Sequence, residues 1–419
     1  MAIGVQRPAL EMASTPVLER LSGKRLMILG AGLFQTAAIR KAAELGCYVI
    51  TVDYIPSNLG HSYGHQYLNC SVTDKESVLR AATDLNIEGI CTFSSDVAVP
   101  TVAYVSEQLG LPGTSSSVAE TMTTKHLFRK FLKDARISCP AFISGDVFAS
   151  IATEIHHLRP PILFKPVDTS GSRGLTRIDQ IGLQSCEAAF LKAQDFARSR
   201  TVCVEEFVPG IEVGGDAIVV DGRVVFIAIT HKHLNGFVVT GHSLPTNIST
   251  HDQARVINHI ETICKAMRFD TGPLNFDVIV SENSVTVLEM SPRNGGNGIS
   301  AVIERATGVD VEQAAILLSL GENPIFPDSS EVNKFVGSFV FGSPKKGILQ
   351  NFTPADTLMR EIPEISDVFY VKKHGDYIES FEHNGNFIGL VLFTTNSATD
   401  YDRLCRRIIG ALKLVIEPN

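Results

Sequence analysis

Residues 274–293 read LNFDVIVSENSVTVLEMSPR, and this stretch decides the fold. Two runs of apolar, β-forming residues flank a polar SENS segment, which predicts a β-hairpin with its loop centred on Asn283. In that register Asp277 and Glu289 are cross-strand neighbours, with Cβ atoms about 4.5–5.5 Å apart. Carboxylates this close repel each other unless a cation lies between them or one is protonated. A solvated hairpin with unpaired acids is the alternative, and a one-residue change of register would put the acids on opposite faces.

The same hairpin places further polar residues beside the acids. Asn275 lies opposite Ser291, so two neutral oxygen donors accompany the carboxylates, and Mg²⁺ prefers oxygen ligands with substrate phosphates completing its shell. Arg293 follows, where a guanidinium can hold phosphate or a developing negative charge. The next residues read NGGNG, in which Gly295 and Gly296 leave room for a substrate to approach the backbone.

Upstream, residues 161–174 read PILFKPVDTSGSRG. Lys165 in an apolar strand is costly to bury without an anionic partner. The small residues after it offer backbone N–H groups and hydroxyls that can wrap phosphate oxygens. A helix is predicted over residues 117–135, on which Lys125 and Arg129 lie one turn apart. The alternative for each feature alone is a snorkelling lysine and a surface turn.

Residues 202–212 read VCVEEFVPGIE, an apolar strand that ends in two acids before a turn. Adenine needs a flat apolar slot with backbone donors and acceptors along one edge, and a carboxylate suits the ribose diol. This segment can supply both. An ordinary strand with a solvated acidic end explains it equally well.

Near the start, residues 24–34 read KRLMILGAGLF, and Asp53 ends the next strand. Gly30 and Gly32 between a strand and a helix, with an acid about 20 residues on, make most of a dinucleotide fingerprint. The third glycine position is Gln35. A nicotinamide dehydrogenase built on the Gly30–Asp53 unit therefore stays open as a different class of function.

Composition limits the classes of function further. The 419 residues are 20% charged and 44% hydrophobic, which is typical of a globular protein. A net charge of −8 argues against a wholesale nucleic-acid or anionic-membrane binder. The 8 cysteines form no C-x-x-C pair, and the chain shows no signal peptide or spanning segment, so we expect a cytoplasmic protein.

Strands alternating with helices predict an α/β protein of several parts in series. An extension covers residues 1–22, and a Rossmann-like domain covers residues 23–113. The third part, residues 114–330, includes a tight turn at Asp221-Gly222, and a small α+β part covers residues 331–419.

Taken together, the two lysines forty residues apart, the FKPVDTSGSRG loop, the VEEFVPGIE segment and the FDVIV…LEMSPRNGG segment resemble the ATP-grasp superfamily over residues 24–300. The resemblance implies a Rossmann-like N-terminal domain followed by a two-subdomain ATP-grasp fold. Residues 229–233, ITHKH, and 237–245, FVVTGHSLP, resemble the carboxylate–amine ligases of the L-amino-acid ligase type.

This resemblance implies a role for each matching residue. Arg293 and Lys165 are the implied catalytic residues. The implied ATP-binding residues are Lys125, Lys165, Ser170, Gly171, Ser172, Gly174, Glu205, Glu206, Phe207, Val208, Glu212 and Lys232. The implied ligands of Mg²⁺, or of Mn²⁺ in its place, are Asp277, Glu289, Ser291 and Asn275. The implied substrate-binding residues are Arg293, Gly295, Gly296 and His242.

One position departs from the family pattern, because Ser291 stands where an Asn is usual. Our hypothesis is that Asn275 supplies the missing oxygen ligand.

The implied reaction is ADP-forming: a small-molecule carboxylate becomes an acyl phosphate and is then joined to an amine. An ATP-grasp enzyme that uses bicarbonate or formate in a purine-type reaction is the alternative within the fold. A homodimer is a family-level expectation without a signal in the sequence.

Overall fold

The computed structural model describes residues 17–326, 332 and 334–418. The predicted extension lies mostly outside these residues. No helix in the described ranges combines the length and the apolar character needed to cross a membrane.

The N-terminal domain is a parallel sheet of four strands in the order β3-β2-β1-β4. Strands β1, β2 and β4 form because most of their apolar residues are almost completely buried between helices, whereas those of β3 are half-buried. The edge strand β3, which the sequence pattern did not predict, pairs in parallel with β2. The elements are α1 (Val17–Leu21), β1 (Arg25–Leu29), α2 (Leu33–Glu44), β2 (Tyr48–Asp53), β3 (Gln66–Asn69), α3 (Lys75–Asp84), β4 (Gly89–Thr92) and α4 (Val99–Leu109).

A second unit is an antiparallel sheet in the order β5-β8-β6-β7, which carries the glycine-containing loop between β6 and β7. The prediction of one helix over residues 117–135 was wrong, because Thr124 has extended φ and ψ and divides it. The backbone N–H of Lys125 then donates to Val167 O at 2.9 Å, which joins the second helix to the residue that follows β6. The elements are α5 (Ser116–Thr123), α6 (Lys125–Asp134), β5 (Phe142–Gly145), α7 (Phe148–Ile151), β6 (Ile162–Pro166), β7 (Thr176–Ile178), α8 (Leu183–Phe196) and β8 (Val202–Glu206).

The largest element of the fold is a sheet of eight strands in the order β13-β12-β9-β10-β11-β14-β18-β16. The predicted turn between β9 and β10 is confirmed, since Asp221 and Gly222 both have positive φ, as a tight type I′ hairpin requires. One face of the sheet packs on the apolar side of α9. The elements up to residue 326 are β9 (Ile211–Val220), β10 (Arg223–Asn235), β11 (Val238–Leu244), α9 (Thr250–Met267), β12 (Gly272–Val280), β13 (Val285–Ser291), α10 (Ile299–Thr307) and α11 (Val311–Ser319).

The C-terminal segment contributes three strands to the same sheet, so the sheet continues across the proposed boundary at residue 331. A separate small sheet has the order β17-β15-β19. The elements are β14 (Phe335–Phe341), β15 (Gly347–Asn351), α12 (Ala355–Glu361), β16 (Ile365–Tyr370), β17 (Tyr377–Ile378), β18 (Gly389–Thr395), α13 (Asp400–Leu412) and β19 (Val415–Glu417).

The hairpin of β12 and β13 has the predicted register at its acidic end. Asp277 lies opposite Glu289, and Asn275 lies opposite Ser291. The hairpin is not symmetric about Asn283, because Leu288 is an extra residue that forms a β-bulge.

Candidate active site

A cleft lies between the second unit and the large sheet. Strands β6, β8, β9, β10 and β12 and the loop between β6 and β7 supply its walls. Of the predicted residues, those lining it are Lys125, Lys165, Ser170, Gly171, Ser172, Glu205, Phe207, Val208, Glu212, Lys232, Asp277 and Glu289. Residues separated by more than 160 positions in the sequence thus meet in one site, which we call the nucleotide cleft.

Lys165 lies on the cleft wall and is almost buried. Its ammonium group pairs with Glu205 on the neighbouring strand, and the other oxygen of Glu205 accepts from Arg129 Nε at 2.9 Å. Burial alone would raise the pKa of Glu205, but the charges of Arg129 and Lys165 outweigh it and lower that pKa to about 2. Glu205 therefore stays ionised and holds Lys165, and both of its oxygens are occupied.

The other two lysines of the cleft face the hairpin acids. Lys125 Nζ lies 3.0 Å from Glu289 Oε1 and donates to Thr169 O at 2.8 Å. Lys232 Nζ lies 2.8 Å from Asp277 Oδ2 and 2.6 Å from Glu212 Oε1. A phosphate group bound here would meet cations from three separate elements.

The paired acids and their neighbours fit a divalent cation. Burial, Glu212 and Glu289 raise the pKa of Asp277 despite Lys232, which is the repulsion that a cation would relieve. The buried hydroxyl of Ser291 finds no hydrogen-bond partner in the described structure. Within the described ranges, no three His, Cys, Asp or Glu side chains come together as a metal site. Mg²⁺ is usually held by one or two carboxylates plus substrate phosphates.

Asn275 lies beside these acids in an arrangement that fixes its side chain. Its amide nitrogen donates to Gly215 O and to Asp216 Oδ1, both at 2.9 Å. Both hydrogens of that nitrogen are thereby used, so the amide oxygen is the atom available to a cation. The fully buried Asp216 has its pKa raised to about 6 by burial, against the hydrogen bonds that it accepts from Asn275 and Gly295.

The loop of residues 169–174, which we call the phosphate loop, covers the nucleotide cleft. Gly171 and Ser172 both have positive φ, a conformation that glycine adopts readily and that serine adopts at a cost. Ser172 Oγ donates to Phe237 O at 2.6 Å, which fastens the loop to the tip of the β10–β11 hairpin. Gly174 packs against Phe196, and a Cβ atom there would lie 2.9 Å from the ring.

At the other end of the cleft, Phe207 and Val208 form an apolar wall. The Arg177 guanidinium lies 4.6 Å from the centre of the Phe207 ring. Glu206 does not line this cleft, since its carboxylate turns outward to Arg159, with 3.0 Å between Arg159 Nη2 and Glu206 Oε2. The structure therefore does not place the Glu206 side chain where the sequence interpretation expected it.

A second cleft adjoins the first and contains Arg293. Its wall also includes Asn275, Glu289 and Ser291. Arg293 Nε donates to Asp96 Oδ1 at 2.9 Å, and Asp96 comes from the N-terminal domain. Burial raises the pKa of Asp96, but Arg293 outweighs it, so that pKa is lowered and the pair stays ionic. We call this space the substrate cleft.

Three predicted substrate-binding residues lie outside both clefts. His242 is 2% exposed and its Nδ1 lies 2.9 Å from Thr230 Oγ1, so it packs inside the large sheet. Gly295 is needed for packing, because a Cβ atom there would lie 2.6 Å from Asn275 Nδ2. Gly296 faces Ser94 of the N-terminal domain.

Sequence reasoning missed Asp96 and Asp216, which hold two of the predicted site residues, Arg293 and Asn275. Asp96 follows β4, and the carboxyl ends of parallel strands are the usual position of ligand sites in α/β sheets. That signal was available. Asp216 is a charged residue in the apolar strand β9, a signal of the same kind as Lys165. Its partners come from β12 and from the loop after β13, and they were not predictable from the local sequence.

The glycine loop of the N-terminal domain has its polar groups occupied internally. Asp53 Oδ2 accepts from Ala31 N and from Asn58 Nδ2, both at 3.0 Å. Gly60 packs against Ala31, and a Cβ atom there would lie 2.8 Å from Ala31 O. The carboxylate that a dinucleotide ribose would need thus already holds the loop together.

Comparisons with known proteins agree with this geometry. Residues 158–301 match the family model described as "ATP-grasp domain". The L-amino acid ligase structure from Bacillus licheniformis superposes with a TM-score of 0.81 at 19% identity, covering 94% of this chain and 99% of that chain. The phosphoribosylglycinamide synthetase structure from Anaerococcus prevotii superposes with a TM-score of 0.73 at 20% identity, covering 94% and 100%.

These likenesses define the class: the fold is the ATP-grasp fold, as predicted. More particularly, the phosphate loop, β8 and the acidic hairpin all lie within the residues that match the ATP-grasp domain model. Carnosine synthase 1 of Mus musculus is 23% identical over 77% of this chain. The chain spans 44% of the length of that relative.

Proposed function

We propose that this protein is an ATP- and Mg²⁺-dependent ligase that activates a carboxylate as an acyl phosphate and couples it to an amine. The observation that carries the proposal is the convergence of Lys125, Lys165, Asp277 and Glu289 on one cleft, directly beside the cleft that holds Arg293. Similarity to proteins named L-amino acid ligase and carnosine synthase supports it.

In the first step, a carboxylate oxygen of the substrate attacks the γ-phosphorus of ATP, and the bond to the ADP oxygen breaks. Lys125 and Lys165 offset the phosphate charge and orient the group for in-line transfer. When bound, Mg²⁺ supplies further neutralisation of the phosphate oxygens. Asp277 and Glu289 would hold it, with Ser291 and, by our hypothesis, Asn275 as oxygen donors.

In the second step, the amine nitrogen attacks the acyl carbon, phosphate leaves, and a proton is lost from nitrogen. Arg293 lines the substrate cleft, where it stabilises the negative charge of the acyl phosphate and of the leaving phosphate. Phe207 and Val208 offer the apolar slot for adenine, and Glu212 offers a carboxylate to the ribose.

The decisive test is ADP release measured against a panel of amino acids and small carboxylic acids, singly and in pairs. We expect release above background only with an acceptable acid, and a new amide by mass spectrometry when the amine is added. A carboxylated or formylated product would instead identify the purine-type alternative. Nicotinamide cofactor binding without any nucleotide-dependent reaction would contradict the ligase proposal.

The Asn275 hypothesis has a structural test of its own. A structure with nucleotide and metal should place Asn275 Oδ1 within the ~2.0–2.1 Å typical of Mg²⁺ ligands. A separation above about 4 Å from each cation would overturn the hypothesis, because Mg²⁺ ligand distances are far shorter.

We also propose a cytoplasmic location, supported by eight free thiols; a homodimer stays a prediction.

A further inference from the structure

A short turn near the C-terminus touches the phosphate loop, although it lies outside the matched ATP-grasp domain. This C-terminal turn covers residues 383–387 and contains a single 3₁₀ turn, Asn384–Asn386. It reaches across the cleft edge to the phosphate loop and to the β10–β11 hairpin. None of the motifs found in the sequence includes it.

Asn384 makes three hydrogen bonds that join these parts. Its backbone N–H donates to Gly171 O of the phosphate loop at 3.0 Å. Its side chain pairs with the backbone of Val239 in both directions: Nδ2 donates to Val239 O at 2.7 Å, and Oδ1 accepts from Val239 N at 3.2 Å. One residue therefore links the loop over the cleft to the hairpin beneath it.

The neighbours of Asn384 pack against the same loop. A Cβ atom on Gly385 would lie 3.0 Å from Arg173 Nε, so the turn and the loop are in close contact. The His383 ring meets the Phe196 ring edge-on at 6.0 Å, and Phe196 O accepts from Thr169 Oγ1 at 2.7 Å. Both ends of the phosphate loop are thus held.

The turn is itself anchored to the N-terminal domain. Phe387 stacks on Phe34 with 5.3 Å between ring centroids and 18° between planes. Phe34 lies in the first turn of α2. The position of the C-terminal turn is therefore determined by contacts with the phosphate loop, the β10–β11 hairpin and the N-terminal domain.

We infer that Asn384 is a positioning residue that holds the phosphate loop closed over the nucleotide cleft; this inference rests on the proposed ligase function. Closure matters for that reaction because water attacking an acyl phosphate returns the free carboxylate and phosphate. ATP is then consumed with no amide formed. A loop that closes poorly would bind ATP less tightly and would admit water.

The test is Asn384→Ala, which removes both side-chain bonds to Val239. Two lost hydrogen bonds should raise the KM for ATP by about ten-fold while kcat changes less. The ratio of ADP formed to amide formed should rise above one, since part of the acyl phosphate is hydrolysed.

Asn386→Ala is the matched control. Asn386 lies in the same turn, but its amide nitrogen donates to Ser380 O at 2.9 Å and does not reach the loop. We expect its KM and its ADP-to-amide ratio to equal those of the unmodified protein. A merely structural role for Asn384 would lower kcat through loss of active protein and leave both KM and the ratio unchanged, which would overturn the inference.

Hydrogen–deuterium exchange gives a readout that needs no activity. Peptides covering residues 169–175 should exchange faster in Asn384→Ala than in the unmodified protein or in Asn386→Ala. If the unmodified protein forms no ADP with any acid, the proposed function fails. Faster exchange of the phosphate loop in Asn384→Ala would still support the role of Asn384 in holding that loop. Unchanged exchange in Asn384→Ala overturns the inference whatever the activity.

Discussion

At the scale of single residues, four cations of the two clefts are each held by carboxylates. The pairs are Lys125 with Glu289, Lys165 with Glu205, Lys232 with Asp277 and Glu212, and Arg293 with Asp96. Glu289 and Asp277 are also the predicted metal ligands. A cation bound by these two acids would therefore release Lys125 and Lys232 toward phosphate, so that metal and nucleotide binding would support each other.

This exchange of partners leads to a prediction about the metal requirement. Asp277→Asn and Glu289→Gln each remove one negative ligand. We expect the Mg²⁺ concentration for half-maximal activity to rise by about ten-fold or more, since 1.4 kcal/mol is a factor of ten. Titration of ADP release with Mg²⁺ at saturating substrates measures it. An unchanged titration curve in both variants would show that the acids do not hold the metal.

A second prediction concerns Arg293. In the Arg293→Ala variant, turnover should fall to background while ATP binding stays within a few-fold, because Arg293 lies in the substrate cleft and not in the nucleotide cleft. ATP affinity is measured by calorimetry and turnover by ADP release. Arg360→Ala removes an exposed arginine far along the chain and should change neither value. Full turnover in Arg293→Ala would refute the assignment.

At the scale of elements, a buried ion pair joins α6 to β8. The guanidinium of Arg129 is completely buried, donates to Glu205 at 2.9 Å, and also donates to Leu288 O of the β13 bulge at 2.7 Å. Without Arg129, Glu205 would keep Lys165 but would lose one of its two buried cationic partners. Breaking a buried pair typically costs about 3–5 kcal/mol.

We therefore expect Arg129→Leu to lower the free energy of unfolding by about 3–5 kcal/mol, measured by urea titration at pH 7. The adjacent Lys130 gives a matched control, because it pairs with Asp134 on the exposed face of the same helix. Lys130→Ala should cost at most about 1 kcal/mol. Equal losses of unfolding free energy in the two variants would mean that the buried pair stabilises the fold no more than the exposed pair does.

The same ion pair makes the free energy of unfolding depend on pH. Glu205 has a pKa of about 2 in the fold against an ordinary value of 4.5, so the unfolded chain binds its proton first as the pH falls. Its contribution is complete above about pH 5 and is lost toward pH 2, a difference of about 3 kcal/mol at 1.36 kcal/mol per pKa unit. Urea unfolding of Glu205→Gln should show a smaller loss between pH 5 and pH 3 than the unmodified protein. Parallel curves would contradict this assignment.

Local signals predicted elements better than they predicted pairing between distant segments. The register of Asp277 with Glu289 was predictable because both strands and their turn lie within twenty residues, but the bulge at Leu288 was not. Its carbonyl bonds to Arg129, which comes from another unit. The extension of the large sheet by β14, β18 and β16 was likewise not predictable, because it depends on contacts between distant parts of the chain.

At the scale of the whole molecule, the site is complete only because the N-terminal domain meets the loop after β13. Ser94 N donates to Asn294 O at 3.0 Å, and Ser94 Oγ donates to Gly295 O at 2.8 Å. Asp96, two residues after Ser94, then accepts a hydrogen bond from Arg293, which lies in the loop after β13. The sequence pattern predicts a glycine turn in this domain and is typical of a dinucleotide-binding site. The feature that serves the site lies instead after the fourth strand, and its partner is nearly 200 residues away.

The last prediction follows from this contact between domains. Asp96→Asn keeps the shape and a hydrogen-bond acceptor for Arg293 but removes the charge that keeps the guanidinium in place. Because a charged hydrogen bond contributes about 1.5–3 kcal/mol, we expect kcat to fall by roughly ten- to a hundred-fold. The KM for ATP should stay unchanged, since Asp96 lines only the substrate cleft. Asp84→Asn, at an exposed position of the same domain, is the control and should leave both constants unchanged. Steady-state ADP release decides the outcome. An altered KM for ATP with normal kcat would mean that the N-terminal domain acts on the nucleotide and not on Arg293.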